Sequence, residues 1–386
     1  MPALLLCAAS DRPRGRLRRF CFSSQAVAMA LGSALLHFAR SGGLESWRPL
    51  RGMLRAVSTL DRVRLQLDRV RAAVGEIDPV FLDTPALLCA PLGQALGCSV
   101  TLKVETLNPV RSFKGRGTET VAAVALKQGT SRVVCASAGN LGQALAYSGS
   151  RRGLEVTVVA ARTANPLKLR QIAAFGAAVR LEGEDIEDAR LLAREIADAD
   201  GAYLVEDSLD LATCEGAATI GLELVRDDPR LDVILVALGG GAMASGVGYA
   251  VGSLAGHVEV IGIQPLGAPA MALSWRRGTV VETDRIETIA DGVAGRCPIP
   301  DVLDDLLLVL DDVVLVREDS IKIGMRALHE HAGLVVEPSA ALGIAAVLED
   351  PDRFAGQRVT TILCGSNVAP ADFARWVLEP AAGDAR

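Results

Sequence analysis

Aromatic side chains make up only 4% of this 386-residue chain. Lysine occurs just five times (positions 103, 114, 127, 168 and 322), so 35 of the 40 basic residues are arginine. No apolar stretch reaches the ~20 residues that a membrane-spanning helix needs, so no membrane association is expected. The eight cysteines (7, 21, 89, 98, 135, 214, 297 and 364) form no CxxC pair and no compact frame. That excludes a small disulfide scaffold and fits reduced, packed thiols of a cytoplasmic protein. The four histidines (37, 257, 329 and 331) show no metal-ligand spacing, and His329-Glu-His331 reads as a helix surface, so no metal is expected. GxGxxG, GxxxxGK[ST] and GxSxG are all missing, which removes the dinucleotide, P-loop and serine-hydrolase readings. Low-complexity tracts are absent, 50% of the residues are hydrophobic and 22% are charged. Disordered and fibrous classes are therefore excluded. A net charge of −6 argues against a general nucleic-acid binder.

What is there is unevenly distributed. Residues 1–56 hold nine arginines against Asp11 and Glu45. An Arg-rich, acid-poor leader can be a targeting segment, and the apolar run Ala26–Leu36 after the Arg12–Arg19 cluster sketches a weak signal peptide. No clear cleavage motif follows, so an upstream extension, with the fold starting near Met53, is the preferred reading. From Ser58 the pattern changes. Ser58 or Thr59 can cap a helix with the stripe Val63, Leu67, Val70 and Val74. Short apolar runs follow at Val100–Val104, Arg132–Cys135, Val156–Ala160, Val233–Leu238, Val258–Ile263, Leu306–Leu310 and Val359–Leu363. Helical stretches such as Thr118–Lys127, Leu141–Arg152 and Asp188–Ala199 separate most of them. Continuous apolar strands alternating with helices predict an α/β fold of parallel sheets flanked by helices. About seven strands over this length suggest two lobes with the active site in the cleft between them.

Parallel sheets hold ligands beyond the carboxyl ends of their strands, and three junctions there are unusual. In Asn108-Pro-Val-Arg-Ser-Phe-Lys-Gly-Arg-Gly117, a lysine has been kept at a helix start in a chain that otherwise uses arginine. Lysine can lose its proton and attack a carbonyl, which arginine cannot; a capping surface lysine is the alternative. Lys103, Lys127, Lys168 and Lys322 read as ordinary strand-edge or helix-surface residues. Ala136-Ser-Ala-Gly-Asn-Leu-Gly-Gln143 offers backbone N–H groups to a carboxylate or phosphate at a helix start, with Asn140 and Gln143 as further donors; a plain N-cap would also explain it. Gly239-Gly-Gly-Ala-Met-Ala-Ser-Gly246 has more glycine than a turn requires, which favours an anion cradle. Cys364, in Leu363-Cys-Gly-Ser-Asn367, can be a packed small hydrophobe.

Taken together the strings resemble a known family. Ser112-Phe-Lys-Gly-Arg-Gly117, Ser137-Ala-Gly-Asn140, the Gly239–Gly241 run, Glu287-Thr-Ile-Ala-Asp-Gly292, Glu337-Pro-Ser339 and Cys364-Gly-Ser-Asn367 occur in the order seen in serine/threonine dehydratases. These are pyridoxal 5'-phosphate (PLP) enzymes of the tryptophan-synthase-β-like group, fold type II, and the likeness covers roughly Ser58 to Leu378. The resemblance implies a large PLP-binding lobe of residues 57–131 and 206–380, a small lobe of residues 132–205, and a homodimer. It implies that Lys114 holds the cofactor as a Schiff base and then takes the Cα proton of a small amino-acid substrate. Phe113 would pack near the ring and Asn140 would bond its hydroxyl. Gly239, Gly240, Gly241, Ala242 and Met243 would hold the phosphate, and Cys364 would face the pyridine nitrogen. Ser137, Ala138, Gly139 and Asn140 would receive the substrate carboxylate. The implied activity is that of an ammonia-lyase: α,β-elimination of a serine- or threonine-like β-hydroxy amino acid to a 2-oxo acid and ammonia. A thiol at the pyridine nitrogen makes a weak electron sink, which suits elimination.

Departures from the family narrow the reading. Ala138 stands where related serine racemases place the serine that works on the second face. Gln264-Pro265 and Ala270 replace acidic ligands of metal-activated relatives. Ala242 replaces a fourth glycine and must avoid φ > 0. Val110-Arg111 replaces a Thr-Gly pair, and Arg111 reads as a solvated rim charge rather than a partner for an acidic substrate. The short stretch after Cys364 leaves no room for a regulatory domain, so feedback by isoleucine is not expected. The alternatives are β-replacement of the cysteine-synthase kind, elimination on a specialised β-substituted amino acid, and a non-catalytic cofactor-binding protein.

Overall fold

A computed structural model describes residues 59–379. The arginine-rich leader and Ala26–Leu36 lie outside the described residues. Among the described residues ten strands form two sheets: β1 (Ala86–Leu88), β2 (Ser99–Val104), β3 (Arg132–Ala136), β4 (Glu155–Ala160), β5 (Ala178–Leu181), β6 (Tyr203–Val205), β7 (Val233–Ala237), β8 (Glu259–Pro265), β9 (Asp312–Val316) and β10 (Arg358–Leu363). The first sheet has the order β1-β2-β10-β7-β8-β9 and the second β5-β4-β3-β6. Every pairing is parallel except β1 with β2. The centre of the first sheet is covered on both faces, which is why β7 reads Val-Ile-Leu-Val-Ala without a polar residue and is buried throughout.

Six helices bear on the site: α1 (Lys114–Lys127), α2 (Asn140–Arg151), α3 (Pro166–Ala174), α4 (Ile186–Asp200), α5 (Leu211–Asp227) and α6 (Ala242–Leu254). Helices α1 and α5 touch through glycine. A Cβ on Gly117 would lie 2.8 Å from the Thr213 carbonyl oxygen, and one on Gly216 would lie 2.4 Å from that of Arg116. Neither contact leaves room for a side chain. The two sheets have separate apolar clusters. The larger contains the β2, β7, β8 and β10 side chains, while Val121, Ala122 and Ala125 of α1 join Val133, Cys135, Val156 and Val158 in the smaller.

Two expected elements are different in the structure. Leu306–Leu310 is not a strand: it is the end of a helix, Pro300–Val309, and the strand follows as β9. The expected helix from Thr59 is broken into a 3-10 turn at Leu60–Arg62 and a helix at Leu67–Ala73. Between them the Arg64 backbone N–H and side-chain Nε both donate to the buried Asp305 carboxylate, at 3.0 and 2.8 Å. That pair of bonds holds the chain extended where the apolar stripe alone suggested a helix.

Candidate active site

The loop before α1 is zipped to the end of β10. The Phe113 N–H donates to the Cys364 carbonyl at 3.0 Å, and the Ser366 N–H donates to that of Arg111 at 2.9 Å. This pairing fixes Lys114, one residue on, against the Cys364 side of the sheet. Arg111 is exposed and sits in the left-handed region, φ 52°, which favours glycine. On the other wall, β7 runs into Gly239–Gly241. Gly241 has φ +114°, and a Cβ there would be 2.5 Å from Val302 Cγ1, so only glycine fits. Helix α6 then starts at Ala242 with no side-chain cap. Its first N–H groups have no intrahelical acceptor. Ala242 itself is helical, so the positive φ falls on Gly241.

The expected site residues meet in one cavity of about 260 Å3. Phe113, Lys114, Ser137, Ala138, Gly139, Asn140, Gly239, Gly240, Gly241, Ala242, Met243 and Cys364 all line it. The walls come from the carboxyl ends of β3, β6, β7 and β10, so both sheets contribute. Gln143 does not: it is buried and its Nε2 donates to the Val110 carbonyl at 3.2 Å.

Lys114 Nζ donates to both oxygens of Asp207, at 2.5 and 2.7 Å, and stands 4.9 Å from the centre of the Phe113 ring. Asn140 Nδ2 donates to both oxygens of Glu337, and Asn140 Oδ1 accepts from Asn367 Nδ2 at 2.8 Å. Burial holds the Glu337 carboxyl above the ordinary carboxylate range, partly offset by the Asn140 bond. Burial, with Glu337 nearby, also pushes the Cys364 thiol well up, so it is uncharged at neutral pH. Ser339 Oγ is buried at the same cavity without a partner. Lys168 on α3 pairs with Asp291, and both line the cavity.

Sequence reasoning missed several of these. Asp207 follows a three-residue strand with no glycine signal. Glu337 and Asp291 lay in the quoted strings without a role. Lys168 is a cavity residue rather than an ordinary surface lysine. Lys103 is fully buried on β2, and its Nζ donates to Glu223 at 2.5 Å. Among the described residues no helix is long and apolar enough to cross a membrane.

Comparison with known proteins agrees with this geometry. The model of the family described as "Pyridoxal-phosphate dependent enzyme" matches residues 77–365. L-threonine ammonia-lyase of Thermotoga maritima is 33% identical over 305 residues, covering 79% of this chain and 76% of that protein. Phenylserine dehydratase of Ralstonia pickettii is 33% identical over 281 residues, covering 72% and 86% respectively. The structure of maize serine racemase superposes with a TM-score of 0.76 at 26% identity, covering 80% of this chain and 96% of that one. With its parallel sheets, its lysine-bearing cavity and these relatives, the chain belongs to the fold type II pyridoxal-phosphate dependent enzymes, in the serine/threonine dehydratase group.

Proposed function

We propose that the chain catalyses elimination on a β-hydroxy amino acid of the serine/threonine type, releasing a 2-oxo acid and ammonia. The observation that carries this reading is the position of Lys114 Nζ in the cavity that Gly239–Gly241 and Ser137–Asn140 also line.

The residues fit the cofactor. The uncapped start of α6, opened by the left-handed Gly241, suits a phosphate, with donors at Gly239, Gly240, Gly241, Ala242 and Met243. The unpartnered Ser339 hydroxyl is a further donor at the same cavity. When bound, PLP supplies a carbonyl carbon for Lys114 and an electron sink for the substrate's Cα–H bond. Lys114 anchors the cofactor and, once released, accepts the Cα proton at Nζ. Phe113 shields that amine from water. Asn140, held by Glu337 and Asn367, would be the residue to bond the ring hydroxyl. Ser137, Ala138, Gly139 and Asn140 surround the substrate carboxylate. Cys364, an uncharged thiol, would face the pyridine nitrogen without supplying a full proton, a weak electron sink that suits elimination. The two sheets support a small lobe at residues 132–205 and a large lobe at 57–131 and 206–380. The same reading takes the protein as a cytoplasmic homodimer acting on a small amino acid.

The test is the visible absorbance of the purified chain, followed by addition of L-serine and L-threonine with detection of the 2-oxo acid. A cofactor band lost in Lys114→Ala, with oxo-acid release in the wild type only, is the expected result. A chain that binds no PLP, or that binds it and releases no oxo acid from any β-hydroxy amino acid, overturns the reading.

A further inference from the structure

Asp207 is not among the residues that the family resemblance assigned, yet it makes the closest contacts of Lys114. Both its oxygens accept from Nζ, at 2.5 and 2.7 Å. Three features make this more than a surface ion pair.

The first is the setting of the lysine. It is the first residue of α1, whose opening turn holds no acidic side chain. A cation at the positive end of a helix is unfavourable, and Nζ needs a partner from elsewhere. The side chains are 16% and 33% exposed, so solvent screens the pair incompletely. The second is the rigidity of the partner. Thr213 Oγ1 donates to the Asp207 carbonyl, the Leu209 N–H donates to the Glu206 carbonyl at 2.8 Å, and Cys214 Sγ donates to the Ser208 carbonyl at 3.4 Å. The loop between β6 and α5 is thereby pinned at each step. The third is its place at a boundary. Asp207 lines the Lys114 cavity and also an adjoining one of about 320 Å3. Its Oδ2 lies 3.5 Å from where a Cβ on Gly240 would be, against the glycine run itself.

We propose that Asp207 is the charge partner of Lys114: a positioning residue that aims Nζ along the glycine run and holds a negative charge beside it. The proposal rests on the reading that Lys114 carries the cofactor. Its consequence is chemical. With the cofactor held by Lys114, the Asp207 carboxylate would favour positive charge on the linking nitrogen.

The experiment is a pH titration of the absorbance of the cofactor-loaded full-length protein, without substrate, for the wild type, Asp207→Asn, Asp207→Glu and Lys114→Ala. The midpoint of the spectral change is expected to fall by about 1–3 pH units in Asp207→Asn, the size of effect an adjacent opposite charge produces. Asp207→Glu, which keeps the carboxylate, should restore most of the shift. Asp207→Ser gives the same readout if the Asn variant does not fold. Equal midpoints in wild type and Asp207→Asn overturn the proposal and leave the function above standing. Absence of any cofactor band from the wild type overturns both.

Discussion

The side-chain amide of Asn140 donates to both oxygens of Glu337, at 2.9 and 3.1 Å, across 197 positions of sequence. Glu337 is buried, and its carboxyl is held above the ordinary range. The folded chain therefore binds this proton more readily than the unfolded chain does. Over the window between the ordinary and the raised value, stability falls as pH rises; below the window the penalty is absent. Glu337→Gln keeps an acceptor for Asn140 and cannot ionise. Urea unfolding from about pH 5 to pH 8 should show the variant gaining on the wild type as pH rises, by about 1.4 kcal/mol per tenfold difference in proton affinity. A difference that stays flat across this range would mean that Glu337 ionises freely in the fold.

Arg116, two residues after Lys114, is fully buried among charges. It donates to Glu105 at 2.8 Å, to Glu223 at 2.6 Å and to Thr84 at 3.1 Å. Lys103 completes a cluster of two cations and two carboxylates. Arg116→Met leaves Glu105 and Glu223 with Lys103 alone, and should cost about 3–5 kcal/mol in chemical denaturation. A loss below about 1 kcal/mol would show that the carboxylates find other partners or are neutral.

Gly241→Ala places a methyl group 2.5 Å from Val302 Cγ1 at a φ of +114°. The chain must move at the very start of α6. Cofactor affinity, measured by equilibrium dialysis, should weaken more than tenfold, about 1.4 kcal/mol or greater, with a lowered Tm. Unchanged affinity would remove the glycine run from the phosphate site.

Ala138 lines the cavity between Ser137 and Gly139. Ala138→Ser supplies a hydroxyl where the serine racemases carry one. Chiral chromatography after incubation with L-serine should detect D-serine from the variant and none from the wild type, while oxo-acid release, which uses the retained Lys114, stays within about tenfold. Racemisation by the wild type would show that another group serves the second face.

Much of the architecture was legible because parallel, doubly covered strands are written as unbroken apolar runs, as in β7. The same feature misled at Leu306–Leu310, where a helix end with Leu306, Val309 and Leu310 buried and Leu307 and Leu308 half-buried has the same composition as a strand. Lys114 stood out through the scarcity of lysine, and the glycine run through its excess. Lys103 and Asp207 did not, because their meaning lies in partners 120 and 93 positions away. A sequence displays its charges but not which of them fold brings face to face. Arg111 is a related case: nothing local announces that its backbone must turn left-handed.

Helix α1 is held in two ways: Arg116 in its first turn is ion-paired with the buried Glu105 and Glu223, and Val121, Ala122 and Ala125 are buried in the apolar cluster of the four-stranded sheet. Opening α1 breaks the buried ion pairs at one end and the smaller core at the other. Hydrogen exchange should therefore find α1 among the slowest segments, opening only with the whole molecule. The reactive lysine is then carried by the last element to melt, and partial unfolding at the periphery leaves it in place.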